Sequence, residues 1–184
     1  MGMAVWHVDI ENVHVQGNVH GDDQVGGILG GGDYGLSIRN SSAKVNVGLW
    51  DAYGGGLVGS VSDNVHIENS FSTGTLNGVR YLGGLVGGAS TNAHISDSYS
   101  KVNISASEYH VGGLVANLSH NSSIKNSFYS GAIEGTERLA GLVASAYTDI
   151  TISSSFASGT IKGTDILAGL VADAERTVTI VNSF

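Results

Sequence analysis

Apolar residues occur along this chain in short runs that are rich in valine, isoleucine and leucine. Glycine, serine, asparagine or aspartate bounds most of these runs. No stretch repeats apolar residues at the interval of about 3.6 that marks an amphipathic helix. Short β-branched runs between turn-forming residues are typical of strands. The pattern therefore predicts an all-β protein.

One isoleucine, in an Ile-x-Asn-Ser-like stretch, recurs at a nearly constant interval along the chain. Consecutive members are 28 or 29 residues apart, which gives about six repeats. Self-similarity at a fixed period is the signature of a repeat architecture. The members are Ile10, Ile38, Ile67, Ile95, Ile124, Ile152 and Ile180.

Two further landmarks follow each of the first six isoleucines. An aliphatic residue lies nine positions later, and a block such as Gly55-Gly56-Leu57-Val58-Gly59 begins 16 or 17 positions later. The block always begins 12 residues before the next isoleucine, so single-residue insertions fall in the loop that precedes the block. The second glycine of the block is expected where coils approach closely. These glycines are Gly27, Gly56, Gly84, Gly113, Gly141 and Gly169.

A unit of 28–29 residues with three short strands fits one coil of a parallel β-solenoid (β-helix), in which stacking of coils creates the core. In the third copy the strands are predicted at roughly 65–71, 75–76 and 82–86. The blade of a β-propeller is longer than this unit, and the L-x-x-L-x-L spacing of leucine-rich repeats is missing from the sequence. Both residues of the Leu–Val pair in each block are apolar. In a regular strand their side chains would point to opposite faces, so the pair predicts either a bend there or a covered outer face.

The whole chain, 1–184, reads as a single β-solenoid segment with incomplete coils at 1–9 and 180–184. Solenoids need caps over their open ends, and neither end supplies one. We therefore expect the natural protein to be longer than this segment.

Composition narrows the functional classes. The chain has 28 glycines, no proline and no cysteine, and its net charge is −8. A cysteine-based zinc site is impossible, and the charge argues against nucleic acid as a partner. No apolar run is long enough for membrane insertion, and the first residues lack the basic and hydrophobic regions from which a signal peptide would be predicted.

The sequence Leu82-Gly83-Gly84-Leu85-Val86-Gly87, together with Ile67-Glu68-Asn69-Ser70-Phe71, resembles the bacterial GLUG repeat. The resemblance extends over residues 8–184, although Val45 and Val102 stand where other copies have glycine. It implies an extracellular protein, either secreted or attached to the bacterial cell wall. Relatives implied by it include the β-helical N-terminal region of IgA-specific zinc metallopeptidases, and also adhesin-like virulence proteins.

Catalytic chemistry is not predicted within this chain. The H-E-x-x-H motif of zinc peptidases is absent. His66 and His94 occupy one slot in consecutive coils, but serine and threonine fill that slot elsewhere, which favours an outward polar ladder over a metal site. We therefore predict no catalytic residue, no metal ligand and no cofactor in this segment.

Acidic residues recur in the loop before the Gly-Gly block, thirteen residues after the isoleucine, with Arg80 interrupting them. The functional interpretation is a stripe that binds cations or faces a partner. The alternative, which we favour, is a solvated edge that keeps the rod soluble. The acidic members are Asp23, Asp51, Glu108, Glu137 and Asp165.

Two more columns follow from the period. An asparagine column at a turn is expected to hydrogen-bond along the axis, and it comprises Asn12, Asn40, Asn69, Asn126 and Asn182, with Asp97 and Ser154 in the same slot. An aromatic column is expected in the core, although an outward stripe that binds glycan is the alternative. It comprises Phe71, Tyr99, Phe128, Phe156 and Phe184.

Two functions fit these patterns. The first is a non-catalytic scaffold or substrate platform in a secreted or wall-attached zinc metallopeptidase, whose partners are other domains of the same protein. The second is an adhesin-type or stalk segment that binds a host protein or glycan. A β-helical carbohydrate enzyme is a remote third, because no carboxylate pair with catalytic spacing is present.

Overall fold

A computed structural model describes residues 7–184, so residues 1–6 of the incomplete first coil lie outside the described part. Residues 7–184 form strands and turns without a helix, which confirms the predicted all-β parallel β-solenoid of about six coils. The first coils contain β1 (Val8–Glu11), β2 (His14–Gly21), β3 (Val25–Gly26), β4 (Leu29–Gly32), β5 (Leu36–Arg39), β6 (Ser42–Leu49) and β7 (Ala52–Gly55).

The middle coils contain β8 (Val58–Glu68), β9 (Phe71–Gly78), β10 (Arg80–Gly83), β11 (Val86–Ser96), β12 (Tyr99–Ala106) and β13 (Tyr109–Gly112). The last coils contain β14 (Val115–Lys125), β15 (Phe128–Glu134), β16 (Glu137–Ala140), β17 (Val143–Ser153), β18 (Phe156–Lys162), β19 (Asp165–Ala168) and β20 (Val171–Val181).

These strands form three parallel sheets, and each complete coil contributes to all three. The first sheet has the order β1-β5-β8-β11-β14-β17-β20, with β4 also paired to β8. The second has the order β2-β6-β9-β12-β15-β18, and the third has β3-β7-β10-β13-β16-β19. Strands therefore pair with their equivalents one coil away, as a solenoid requires.

Each complete coil bends at three residues whose φ lies between 47° and 61°. The first bend, at Asn69 in the third coil, separates the first sheet from the second. The second bend is at Tyr81, inside the third sheet, and the third bend is at Asn92, within the long strand β11. Asparagine tolerates this left-handed region better than most residues do, whereas tyrosine there is uncommon.

The isoleucine ladder lies in the core. All seven members are in register, and Ile38, Ile67, Ile95, Ile124 and Ile152 are at most 2% exposed. Ile180, on the last strand, is 43% exposed because no further described coil covers it. Aliphatic ladders of this kind bury one continuous strip of apolar surface along the axis.

Both side chains of the Leu–Val pair point into the core, as the predicted bend requires. Leu57 and Val58 are both fully buried, and both backbone N–H groups donate to the carbonyl of Leu85, each at 3.0 Å. Glycine precedes each Leu–Val pair because the backbones of neighbouring coils approach closely there. In the third coil, a Cβ added to Gly84 would lie 2.0 Å from the carbonyl oxygen of Gly113 in the next coil. The same contact, within 2.4 Å, recurs at Gly27, Gly56, Gly113 and Gly141, whereas Gly169 meets nothing within 4 Å.

The predicted limits of all three strands of the third copy were wrong. The first strand ends at Glu68, because the left-handed residue Asn69 bends the chain before Phe71. The predicted strand at 82–86 spans a bend at 84–85 that separates β10 from β11. The second strand, β9, is longer than the two residues predicted for it.

A buried serine ladder lies beside the first bend, and the sequence reasoning missed it. Ser70 and its equivalents are about 1% exposed. The Ser70 Oγ donates to the carbonyl of Glu68 (2.8 Å) and accepts the N–H of Ser41 from the preceding coil (3.0 Å). Each hydroxyl thus supplies the partner of a buried backbone N–H in the preceding coil. It also adds a second hydrogen bond to a carbonyl that already accepts from that coil, as the Glu68 carbonyl does from the N–H of Asn40. The ladder comprises Ser41, Ser70, Ser98, Ser127 and Ser155.

Candidate functional site

The acidic residues do not all share one slot. Arg80 lies opposite Ala52, and Glu137 lies opposite Tyr109 and Asp165. Asp51 and Glu108 belong to the two coils that carry an inserted residue, so they lie one position before that slot. Counting forward from the isoleucine predicted that Asp51 and Glu108 share the slot of Arg80, and this was wrong. The structure agrees with counting back from the Gly-Gly block, because the insertions precede the block.

Arg80 joins acidic residues on both sides of it. Its guanidinium is 2.7 Å from Asp51 and 3.8 Å from Glu108. The nearby Asp51 carboxylate is the main reason that the pKa of Arg80 is raised. Among residues 7–184 no group of three histidine, aspartate or glutamate side chains could hold a metal ion. Arg80 therefore links the acidic residues on either side of it, while the other predicted positions of the edge are acidic. The function of this edge stays a prediction.

His66 and His94 lie in register, with ring centroids 5.1 Å apart and a tilt of 53°. His94 Nδ1 is 2.8 Å from the Oγ of Ser123 in the next coil. Burial, and then the neighbouring His66, lower the pKa of His94. The pair is continuous with the polar ladder of the first sheet, as the sequence favours.

The asparagine column lies at the first bend. Asn69 Nδ2 donates to Asn40 Oδ1 at 2.6 Å, and Asn126 Nδ2 donates to Asp97 Oδ1 at 3.1 Å. All seven members of the slot have a positive φ near 50°. These side chains join neighbouring coils at a bend in which asparagine is the favoured residue.

The aromatic column faces outward, so its predicted position in the core was wrong. Phe71, Tyr99, Phe128 and Phe156 are half-buried, and Phe184 is 80% exposed. The bend at Asn69 directs Ser70 inward and leaves Phe71 on the outer face. Neighbouring rings stack at 4.8–5.4 Å with interplanar angles of 1–9°, so they cover one another's faces and expose their edges.

A second stack, which sequence reasoning missed, lies two residues before the Gly-Gly block. Tyr53 stacks on Tyr81, and Tyr81 stacks on His110, each with centroids 4.8 Å apart. Arg138 and Gln24 occupy the same slot in other coils. Counting back from the block, rather than forward from the isoleucine, would have aligned these residues, because the insertions precede the slot.

His110 has an unusual environment in this stack. Its Nδ1 is buried and has no hydrogen-bond partner in the described part of the chain. Burial and the positive charge of Arg138 lower the pKa of His110 to about 4, although Asp173 opposes the shift. Arg138 is itself paired with Asp173 at 3.2 Å and with Glu137. The imidazole is therefore neutral at physiological pH.

A groove crosses the outer face of the second sheet beside Trp50. It encloses about 430 Å³ and is lined by the indole of Trp50 and by exposed polar side chains. Trp50 lies in the loop that carries the second coil's inserted residue, and it is 76% exposed. The polar lining includes His20, Asn46, Asn77 and Ser107.

A family model described as the GLUG motif matches residues 78–105, which run from the end of β9 through β12. The match supports a GLUG-type repeat, and the same landmarks recur in the other coils. No curated protein and no solved structure matches the chain. A search of residues 7–184 finds no helix with the length and apolarity needed to cross a membrane.

Proposed function

We propose that this GLUG-type β-helix is a non-catalytic scaffold in a secreted or cell-wall-attached bacterial zinc metallopeptidase, where it spaces or supports the peptidase and its substrate. In this proposal the segment acts without a cofactor of its own. Its partners are other domains of the same longer protein. The catalytic zinc and its H-E-x-x-H helix belong to another part of that protein.

The observation that carries this proposal is the uninterrupted in-register stacking of all three sheets. Backbone hydrogen bonds link each coil to the next along every sheet, and the buried serine ladder joins the bends. A structure that is held together along its whole length resists bending, and this is the property a spacer needs.

Two measurements test this role. The sequence that flanks the segment in its gene is expected to encode H-E-x-x-H with a downstream glutamate. Further repeats, or a barrel that translocates across a membrane, would contradict the peptidase assignment. The purified segment is expected to release no product from protein or polysaccharide substrates, and product release that is lost with a single side chain would contradict a non-catalytic role.

The second candidate is an adhesin-type segment that binds a host protein or glycan. The exposed Trp50 and its groove favour this function, because a solvent-facing indole in a loop beside a sheet is an unusual surface for a plain spacer. Flanking sequence tests the peptidase assignment, and binding assays test recognition of a host protein or glycan.

A further inference from the structure

The groove beside Trp50 combines an apolar face with uncharged polar groups. Its ten lining residues include no lysine, arginine, aspartate or glutamate. The polar lining consists of two amides, one hydroxyl and one imidazole, which donate and accept hydrogen bonds without a fixed charge. A complementary ligand is therefore neutral, rich in hydroxyl groups, and apolar on one face.

The backbone of the loop that carries Trp50 is anchored to the preceding coil. The N–H of Trp50 donates to the carbonyl of Gly21 at 3.3 Å, and the N–H of Asp51 donates to the carbonyl of Asp22 at 2.8 Å. On the other side, the Asp51 carboxylate pairs with Arg80 at 2.7 Å. The loop is thus fixed to both neighbouring coils, which lowers the entropy lost when a ligand binds.

The amide of Asn46 is also oriented. Its Nδ2 donates to Asn18 Oδ1 at 2.9 Å, and its Oδ1 accepts from Thr75 Oγ1 at 3.0 Å. His20 lies over Gly48, where an added Cβ would come within 2.9 Å of the imidazole. The absence of a side chain at residue 48 therefore leaves room for the His20 ring in the lining of the groove.

The groove extends along the solenoid axis. His20 lies in the first coil, Asn46 and Trp50 in the second, Asn77 in the third and Ser107 in the fourth. Three coil steps cover roughly 14 Å. This length, together with a volume in the usual range of ligand sites, suits a short chain of sugar rings better than a single ring.

We propose that this groove binds a neutral oligosaccharide, with the Trp50 indole packed against the C–H face of one sugar ring. His20, Asn77 and Ser107, whose side chains are exposed, hydrogen-bond the sugar hydroxyls. The outward aromatic column does not provide this site, because its stacked rings hide their faces. The proposal rests on the glycan-binding candidate above and not on the scaffold role.

The test uses a panel of neutral gluco-, manno-, galacto- and N-acetylglucosamine oligosaccharides, immobilised on an array and then titrated in solution. Fluorescence is read in a Trp6→Phe background, in which Trp50 is the only remaining tryptophan. We expect saturable binding that changes Trp50 emission. Trp50→Ala should weaken binding roughly tenfold or more, and Asn77→Ala should weaken it several-fold.

Tyr34→Ala is the matched control, because Tyr34 is also an exposed aromatic residue, at 61%, but lies outside the groove. This variant should bind as the parent does. No binding to any member of the panel would overturn the proposal, as would equal binding by Trp50→Ala with an unchanged circular dichroism spectrum. Dimerisation that depends on Trp50 would assign the groove to a second copy and also overturn it. None of these results bears on the scaffold role, which the flanking sequence and the assays for cleavage test separately.

Discussion

The backbone N–H of Ser98 donates to the Oγ of Ser127 across 3.2 Å, in a region where both serines are about 1% exposed. Ser98 Oγ in turn donates to the carbonyl of Ser96 at 2.7 Å and accepts the N–H of Ser70. One hydroxyl therefore satisfies a donor in the preceding coil and an acceptor in its own. Water cannot easily replace it, because the site is buried.

Ser98→Ala is expected to lower the free energy of unfolding by about 1–3 kcal/mol, because it leaves the buried backbone N–H of Ser70 without its partner. Urea denaturation followed by circular dichroism measures the change. Ser105→Ala is the control, since Ser105 is exposed on β12 and its loss should cost less than about 0.5 kcal/mol. Equal effects for the two variants would contradict a structural role for the serine ladder.

His110 predicts a pH dependence of stability. Its pKa is about 4 in the folded protein and near 6.5 in the unfolded chain. The unfolded chain therefore binds more protons between these values, and the free energy of unfolding falls as pH is lowered through this window. The contribution is fully present above pH 6.5 and is lost by about pH 4.

His110→Tyr removes this titrating group and continues the stack begun by Tyr53 and Tyr81. The groups that face it are Arg138, Asp173, Tyr81 and Tyr109. Urea denaturation at several pH values should show a smaller slope for this variant between pH 4 and 6.5. His120→Gln, at an exposed position, should keep the parental slope. An unchanged slope in His110→Tyr would refute the assignment.

The register predicts that one whole coil can be removed. Val58 lies opposite Val86, so deletion of residues 58–85 joins Leu57 to Val86 and keeps every slot aligned. The shortened protein should retain its strand spectrum, unfold cooperatively with a lower midpoint, and be shorter by about 4.8 Å in small-angle scattering. Deletion of residues 58–76 misaligns the slots and should abolish the fold. If both deletions behave alike, the in-register stacking is not what holds the coils together.

Arg80 predicts a salt-dependent effect at the acidic edge. Arg80→Glu replaces the group that joins Asp51 and Glu108 with a third carboxylate. The thermal midpoint should fall at low ionic strength and recover largely in about 1 M salt, where the Debye length is about 3 Å. Lys44→Glu makes the same charge change between Gln16 and Thr73, and should have little effect. A loss that persists in high salt would contradict the electrostatic explanation.

The sequence alone was sufficient for the architecture because a solenoid repeats each environment once per coil. Ile67 and Ile95 are 28 residues apart in sequence and lie directly opposite each other in the sheet. The glycines of the blocks carry the same information, because only a residue without a Cβ fits against the neighbouring backbone. The period therefore determined the coil length, the number of coils and much of the core.

Only the tertiary structure decided whether each remaining side chain lies on the inner or the outer face of its sheet. Asn69 takes a left-handed conformation, which turns Ser70 inward and Phe71 outward. The inserted residues of two coils likewise move Asp51 and Glu108 out of the slot of Arg80 and give Trp50 its exposed position. Spacing along the chain specifies which residues lie one coil apart, but the backbone angles at each bend set the direction of the side chains.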